Sequence, residues 1–247
     1  MQIDLRDRVV LVTGAGSGIG RAMASAFAAA EASVWVNDLS EDAADETVRA
    51  IRAQGGAAHA VAADVTRADA VTAMVNTIVS TEGRIDCLVN NAAIVQVKPF
   101  LELEEEDWDR MLTTNLKSVF LTCRAVLPQM QRQGAGVVIN LASELAWLGR
   151  ASYAPYTASK GGVIALTRSL AREFAPEIRV NGIAPGPVDT PMLRSEMALT
   201  DADETTIPAG RLGRPEEIAA AAVFLASDAA GFFYGEIISP NGGALMR

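Results

Sequence analysis

The sequence predicts an α/β fold: a doubly wound parallel sheet of about seven strands, flanked by helices, in a single domain over residues 1–247. Three observations carry that prediction. Short apolar runs alternate with longer helix-periodic stretches, which is the order of a βα repeat. The runs are apolar throughout rather than alternating, as in strands buried on both faces. No Pro/Gly/Ser-rich linker, repeat or low-complexity tract divides the 247 residues. Chains of this class and length often fold as one unit.

The elements follow in order. Val9-Val10-Leu11-Val12 is the first strand, followed by a glycine-rich turn and a helix over 21–31. Residues 33–37 form the second strand and 41–54 the next helix. Residues 57–62 are the third strand. The helix over 66–82 has Thr66 as its expected N-cap. Cys87-Leu88-Val89 is the fourth strand. Residues 104–133 hold two helical stretches with a break near Thr113-Thr114. Residues 136–142 are the fifth strand, 152–174 a long helix and 178–183 the sixth strand. Residues 215–227 are a helix with Pro215 in its first turn, and 236–239 a short last strand. Residues 185–213 are irregular and carry Pro185, Gly186, Pro187, Pro191, Pro208 and Gly210. A long irregular segment in a compact domain is a candidate substrate loop; the plainer reading is a variable surface loop.

Composition removes several function classes. Hydrophobic residues make up 50% and charged residues 21%, which excludes a disordered chain. Lys and Arg number 21 against 30 Asp and Glu, a net charge of −9, so a nucleic-acid partner is not expected. No run of about 18 apolar residues is present, so no membrane span is expected. The charged stretch from Met1 to Arg8 lacks the pattern of a secretory signal. Cys87 and Cys123 are too few for a disulfide framework and read as buried free thiols, which suits a reducing cytoplasm. His59 is the single histidine, so no Cys/His metal cluster can be assembled. A Ser-His-Asp triad would have to use it, and it lies in an Ala/Val run that reads as a strand.

The first strand ends in Thr13-Gly14-Ala15-Gly16-Ser17-Gly18-Ile19-Gly20, and a helix follows. Glycines there let the backbone turn tightly and approach a pyrophosphate, whose charge faces the helix N-terminus. The spacing is Gly-x-x-x-Gly-x-Gly at Gly14, Gly18 and Gly20. Asp38 ends the second strand. An acid there accepts hydrogen bonds from adenosine ribose hydroxyls and repels a 2′-phosphate; the competing reading is a helix cap. No Arg or Lys flanks Asp38, and Ser17 rather than a basic residue sits in the glycine turn. Both points favour NAD over NADP. Asp64 and Val65, after the third strand, are placed to flank the adenine. Asn90-Asn91-Ala92-Ala93 follows the fourth. All lie at strand C-terminal ends, the ligand edge of an open α/β sheet.

Tyr156 and Lys160 are four apart on one helix and share a face. A phenol alone is a poor base, with a pKa of about 10. A neighbouring ammonium stabilises the phenolate and lowers that value, so the pair can exchange a proton with an alcohol oxygen. Ser143, at the end of the fifth strand, can hydrogen-bond the same oxygen.

The combination of the Thr13-Gly14 turn through Gly20, Asn90-Asn91-Ala92, Asn115, Ser143, Tyr156-Thr157-Ala158-Ser159-Lys160 and Pro185-Gly186, in that order, resembles the short-chain dehydrogenase/reductase family across essentially the whole chain. The resemblance implies a Rossmann-like fold and transfer of a hydride between a nicotinamide and a carbon bearing oxygen. It makes Tyr156 the general acid/base, and Lys160 the group that lowers its pKa and holds the nicotinamide ribose. It makes Ser143 the residue that orients the reacting oxygen. Asn115 would hold a water linking Lys160 to solvent. Pro185, Gly186, Val188 and Thr190 would cradle the nicotinamide side, and Asn91 would line the cofactor channel. Two departures stand out. Ala93 replaces the usual Gly of Asn-Asn-Ala-Gly, and Asn241 replaces the usual Asp of Asp-Gly-Gly near the C-terminus.

Candidate substrate residues are Glu144, Leu145, Trp147, Tyr153, Val95, Gln96, Met192 and Met197. They mix apolar bulk with a few polar groups. Glu144 can hydrogen-bond a second hydroxyl, which suits a polyol, sugar or hydroxylated ring, or else it faces solvent. A 3-oxoacyl carrier-protein or acyl-CoA reductase is the alternative; Asp38 and the net charge of −9 count against NADPH and an acidic carrier. A non-enzymatic NAD-binding regulator is a third reading, and such proteins typically lose the Tyr or Lys. The resemblance also implies a homotetramer built on the helices near 114–133 and 152–174 and the C-terminal segment. Ala158, Gly161, Gly162, Val163 and Ala165 are small residues suited to close approach, or to packing on the sheet.

Overall fold

A computed structural model of the chain describes residues 3–196 and 207–246. Seven parallel strands form one sheet: β1 (Val9–Val12), β2 (Ser33–Asp38), β3 (Ala57–Ala62), β4 (Cys87–Asn90), β5 (Gly136–Leu141), β6 (Ile178–Ile183) and β7 (Ile237–Ile238). Their order is β3-β2-β1-β4-β5-β6-β7. The chain starts in the middle, walks outward to β3, returns to β4 and walks out the other way. The reversal between β1 and β4 opens a crevice at the strands' C-terminal ends.

Helices α1 (Gly18–Ala29), α2 (Glu41–Ala53), α3 (Ala68–Glu82), α4 (Glu105–Leu112), α5 (Ser118–Gln133), α6 (Leu145–Leu148), α7 (Ala154–Phe174), α8 (Pro191–Glu196) and α9 (Pro215–Ala226) connect the strands. Side-chain alternation along β1 explains its continuous apolar run. Val10 and Val12 join one core with Met23, Phe27 and Ile218, under α1, α2 and α9. Val9 and Leu11 join the other with Ile78, Val126 and Ile164, under α3, α5 and α7. Each such fully buried side chain contributes about 1.5–3 kcal/mol by leaving water.

The two cores are pinned by a buried polar ladder. Asn90 Nδ2 donates to Asn140 Oδ1 (2.8 Å), and Thr122 Oγ1 donates to Asn90 Oδ1 (2.6 Å). Asn140 Nδ2 donates to Thr167 Oγ1 (2.9 Å). The ladder ties α5 and α7 to β4 and β5. Gly83 and Gly134, at φ +75° and +70°, end α3 and α5 in the left-handed conformation that glycine tolerates best.

The structure corrects several boundaries. The first helix begins at Gly18, inside the glycine turn. Thr66 is not an N-cap. Its hydroxyl (2.6 Å) and N–H (2.9 Å) both donate to Asp64 Oδ1, closing a turn, and α3 starts at Ala68. The break near Thr113 is a turn of π-helix, Thr113–Lys117, through which α4 runs into α5. Ser152 has φ +68°, outside the helix, and α7 starts at Ala154 with Pro155 in its first turn. The segments α6 and α8 are too short to show a periodicity in sequence. The expected loop over 185–213 is irregular at 185–190 and helical at Pro191–Glu196; residues 197–206 lie outside the described residues.

Candidate active site

The glycine turn is packed too tightly for side chains. Gly14 has φ +61°, and a Cβ on it would lie 2.8 Å from Ala92 Cα. A Cβ on Gly20 would lie 2.5 Å from Asn91 Nδ2 and against the Gly14 carbonyl. Asn91 holds the turn by donating from Nδ2 to the carbonyls of Thr13 (3.0 Å) and Gly14 (2.9 Å). Thr13 Oγ1 in turn accepts from the N–H groups of Asn91 (3.0 Å) and Ala92 (3.2 Å). Ser17 precedes α1 without a side-chain capping bond, so the first amide groups of that helix remain available to an anion.

These residues open onto a cavity of about 670 Å³, within the usual range for ligand sites. Gly14, Ser17, Gly18, Ile19 and Gly20 line it at one end, with Asp38, Asp64 and Val65. Asp38 Oδ2 accepts from Gly16 N (2.9 Å), and Oδ1 from Ser40 N (3.1 Å). Asn37, Leu39, Ala63 and Thr66 complete that end, and among the described residues it carries no basic side chain. The nearby Arg21 is held outside the lining by the Gly16 carbonyl (3.0 Å) and Glu46 (3.0 Å). Turn, helix N-terminus and acid together fit an adenine dinucleotide.

At the other end the cavity meets Ser143, Tyr156 and Lys160, with Pro185, Gly186, Val188 and Thr190 on the facing wall. Lys160 is buried, and its Nζ donates to the Leu141 carbonyl (2.8 Å) and sits 5.8 Å from the Tyr156 ring centroid. Burial pulls the Lys160 ammonium down to about 8. It also pushes the Tyr156 phenol up to about 12, against the Ser143 hydrogen bond, which acts to lower it. One of the three ammonium N–H donors is used on a backbone carbonyl, and desolvation of the phenolate dominates the Tyr156 shift.

Asn115 lies behind this wall rather than in the lining. Its Nδ2 donates to the Ile94 carbonyl (2.9 Å) and to Ser159 Oγ (3.2 Å), and its Oδ1 accepts from Ile94 N (2.8 Å). The side chain clamps the cavity-lining loop at Ile94 to the residue before Lys160.

Of the candidate substrate residues, Glu144, Leu145, Tyr153, Val95 and Met192 line the cavity. Glu144 is buried, which removes the solvent-facing alternative. Burial alone pushes its carboxyl up to about 7. Tyr153 is buried and stands edge-on to Tyr156. Two candidates are not brought in. Trp147 packs against the core beneath α7. Gln96 is turned away, donating to Asp107 Oδ1 (3.0 Å) and accepting from Arg110 (2.7 Å). Met197 lies outside the described residues. The sequence reading missed Arg110, Arg150, Ile94 and Thr114, which also line the cavity. Arg110 lies on α4 and Arg150 on a loop, and no motif marks either. Ala93 lines the cavity as expected of its position. Asn241 buttresses the Pro185-Gly186 wall: a Cβ on Gly186 would lie 2.8 Å from its Cα.

A dinucleotide cradle and a Tyr-Lys-Ser set on one cavity define a nicotinamide-dependent oxidoreductase. The comparisons with known proteins agree. A family profile described as Enoyl-(Acyl carrier protein) reductase matches residues 14–244. A 3-oxoacyl-[acyl-carrier-protein] reductase FabG of Thermotoga maritima is 39% identical, covering 98% of this chain and 99% of the relative. A 3beta-hydroxysteroid dehydrogenase 1 of Eggerthella lenta is 42% identical over 100% of this chain and 97% of the relative. The crystal structure of a putative gluconate dehydrogenase from Agrobacterium tumefaciens superposes with a TM-score of 0.96 at 38% identity, covering 100% of this chain and 99% of that one. The chain belongs to the short-chain dehydrogenase/reductase family, enzymes that interconvert alcohol and ketone groups with a nicotinamide cofactor.

Proposed function

We propose that the protein is an NAD-dependent dehydrogenase that oxidises the secondary alcohol of a hydroxylated small molecule, a polyol, sugar or hydroxylated ring, to a ketone. The observation that carries this reading is the single cavity that joins Asp38 at one end to Tyr156, Lys160 and Ser143 at the other. Asp38 supports NAD, because its carboxylate, with no basic side chain beside it among the described lining residues, disfavours a 2′-phosphate. Ser143 hydrogen-bonds the alcohol oxygen and holds it beside the Tyr156 hydroxyl. Tyr156 takes the alcohol proton, and Lys160 stabilises the resulting phenolate. The bound nicotinamide supplies the hydride acceptor and, when oxidised, a positive ring that favours the phenolate. Asn115 positions Lys160 through Ser159.

Reduction of a 3-oxoacyl thioester is the second reading, and the similarity to FabG favours it. Arg110 and Arg150 on the cavity wall are its natural anchors for an acyl carrier's phosphate. The deciding experiment is NADH formation across secondary alcohols, polyols, sugars and 3-hydroxyacyl thioesters, with NAD and NADP in parallel. NAD turnover of a hydroxylated small molecule is expected. Activity confined to NADPH and 3-oxoacyl thioesters would replace this reading with the second.

A homotetramer is part of the same proposal. Ala158 and Ala165 are exposed on α7, and a Cβ on Gly161 would meet nothing within 4 Å, so this stripe is open to a second copy. Phe120 on α5 and Trp108 on α4 are also exposed. Gly162 is different, since it packs on Leu116 within the chain. The two free, buried cysteines suit a cytoplasmic enzyme.

A further inference from the structure

One polar side chain of the cavity has an oxygen that no described residue satisfies. Glu144 follows Ser143 at the turn between β5 and α6, and its backbone is fixed. Its N–H donates to the Pro185 carbonyl (3.1 Å), and its own carbonyl accepts from Trp147 N (3.0 Å). The residue is only 5% exposed, and its Oε2 is fully buried without a hydrogen-bond partner. It lines the same cavity as the reacting hydroxyl of Tyr156. A buried, unpartnered carboxyl oxygen is costly, and beside a reaction centre that cost is recovered when a ligand brings the missing donor.

We propose that Glu144 selects the alcohol: its buried Oε2 accepts a hydrogen bond from a second hydroxyl of the substrate, close to the carbon that carries the reacting one. This rests on the dehydrogenase reading and adds the residue that makes the second hydroxyl a requirement. A simple ring alcohol leaves the carboxyl unsatisfied, and sites built to bind a hydroxyl discriminate strongly against analogues that lack it. The carboxylate is the stronger acceptor. The titratable and charged groups that share its cavity wall are Tyr153, Tyr156 and Lys160 on α7, Arg150 on the preceding turn and Arg110 on α4. Burial holds the Glu144 carboxyl near neutrality, so preference for the second hydroxyl rises as pH passes from about 6 to about 8.5.

The test compares cyclopentanol with cyclopentane-1,2-diol, using NAD, in the wild type and in Glu144→Gln. The wild type is expected to favour the diol, increasingly so at higher pH. In Glu144→Gln, kcat/KM for the diol is expected to fall about ten- to hundredfold more than kcat/KM for cyclopentanol, and the pH dependence of the ratio disappears. An equal fall for both alcohols, or an unchanged ratio, overturns the assignment. A second measurement needs no turnover and so separates this idea from the dehydrogenase reading. The infrared carboxyl band is recorded in NAD-saturated Tyr156→Phe, with and without Glu144→Gln. A protonated-acid band that is absent from the Gln variant and shifts with the diol but not with cyclopentanol upholds the role of Glu144. A band indifferent to the diol ends it, whatever the enzyme oxidises.

Discussion

At Gly20 the missing side chain is what makes room. A single methyl there would strike the Gly14 carbonyl and Asn91 Nδ2, which holds the glycine turn proposed to receive the cofactor. Gly20→Ala is therefore expected to weaken NAD binding at least tenfold, about 1.4 kcal/mol or more, as measured by NADH fluorescence titration. Tyr156→Phe removes the proposed acid/base hydroxyl and nothing else. Its kcat is expected to fall about a hundred- to ten-thousandfold with NAD affinity unchanged; wild-type rates would refute the role. Asp38→Ala is expected to narrow the NAD-to-NADP ratio of kcat/KM by about tenfold or more, since it removes both a ribose acceptor and a repulsive charge. Gly20 and Asp38 were legible in the sequence by their position after a strand, and Tyr156 by its spacing to Lys160 on one helix. Lys160 was legible as a partner of Tyr156, but its surroundings were not. Spacing reveals that two side chains share a helix face, while the Leu141 carbonyl holds the ammonium in place and burial lowers its pKa.

Among the elements, α7 has the most to hold in place, because it carries Tyr156 and Lys160. The ladder from Asn90 through Asn140 to Thr167 fixes it to the sheet. Thr167→Val keeps the shape but leaves Asn140 Nδ2 without its acceptor. A loss of about 1–3 kcal/mol in denaturant unfolding is expected. Rotation of α7 would also lower kcat, whereas a purely local effect would leave kcat untouched. The seven strands were readable because each is a short apolar run closed by a turn. The π turn at Thr113–Lys117 was readable only as a break, since one extra residue in a helical turn shifts the apolar pattern by about 100° without showing that the chain stays helical. The same limit hid the orientation of Gln96 and Trp147. Their residue types suited a pocket, but long-range partners, Asp107 for one and the core under α7 for the other, claimed them.

Across the whole molecule, the reversal of strand order between β1 and β4 gathers turns that are distant in sequence onto one edge, and two buried groups there leave a pH signature on folding. Glu144 is raised from 4.5 to about 7 by burial. Between those values the folded protein binds the proton and the unfolded chain does not, so stability falls as pH rises through that window. Lys160 is lowered from 10.5 to about 8. Between about 8 and 10.5 the unfolded chain holds the extra proton, so stability rises with pH there. The two effects place a shallow minimum near pH 7–8 in the cofactor-free protein. Glu144→Gln removes the first. It is expected to raise Tm near pH 8 by several degrees, at about 2–4 °C for each kcal/mol in a chain of this size. Near pH 4.5, where Glu144 is protonated in the folded state, it should change Tm little. Scanning calorimetry of wild type and variant at the two pH values checks the sign. Equal shifts at both would mean that the substituted amide acts by packing rather than by relieving a buried charge. In that case the carboxyl would not be held in the desolvated environment that its place on the cavity wall creates.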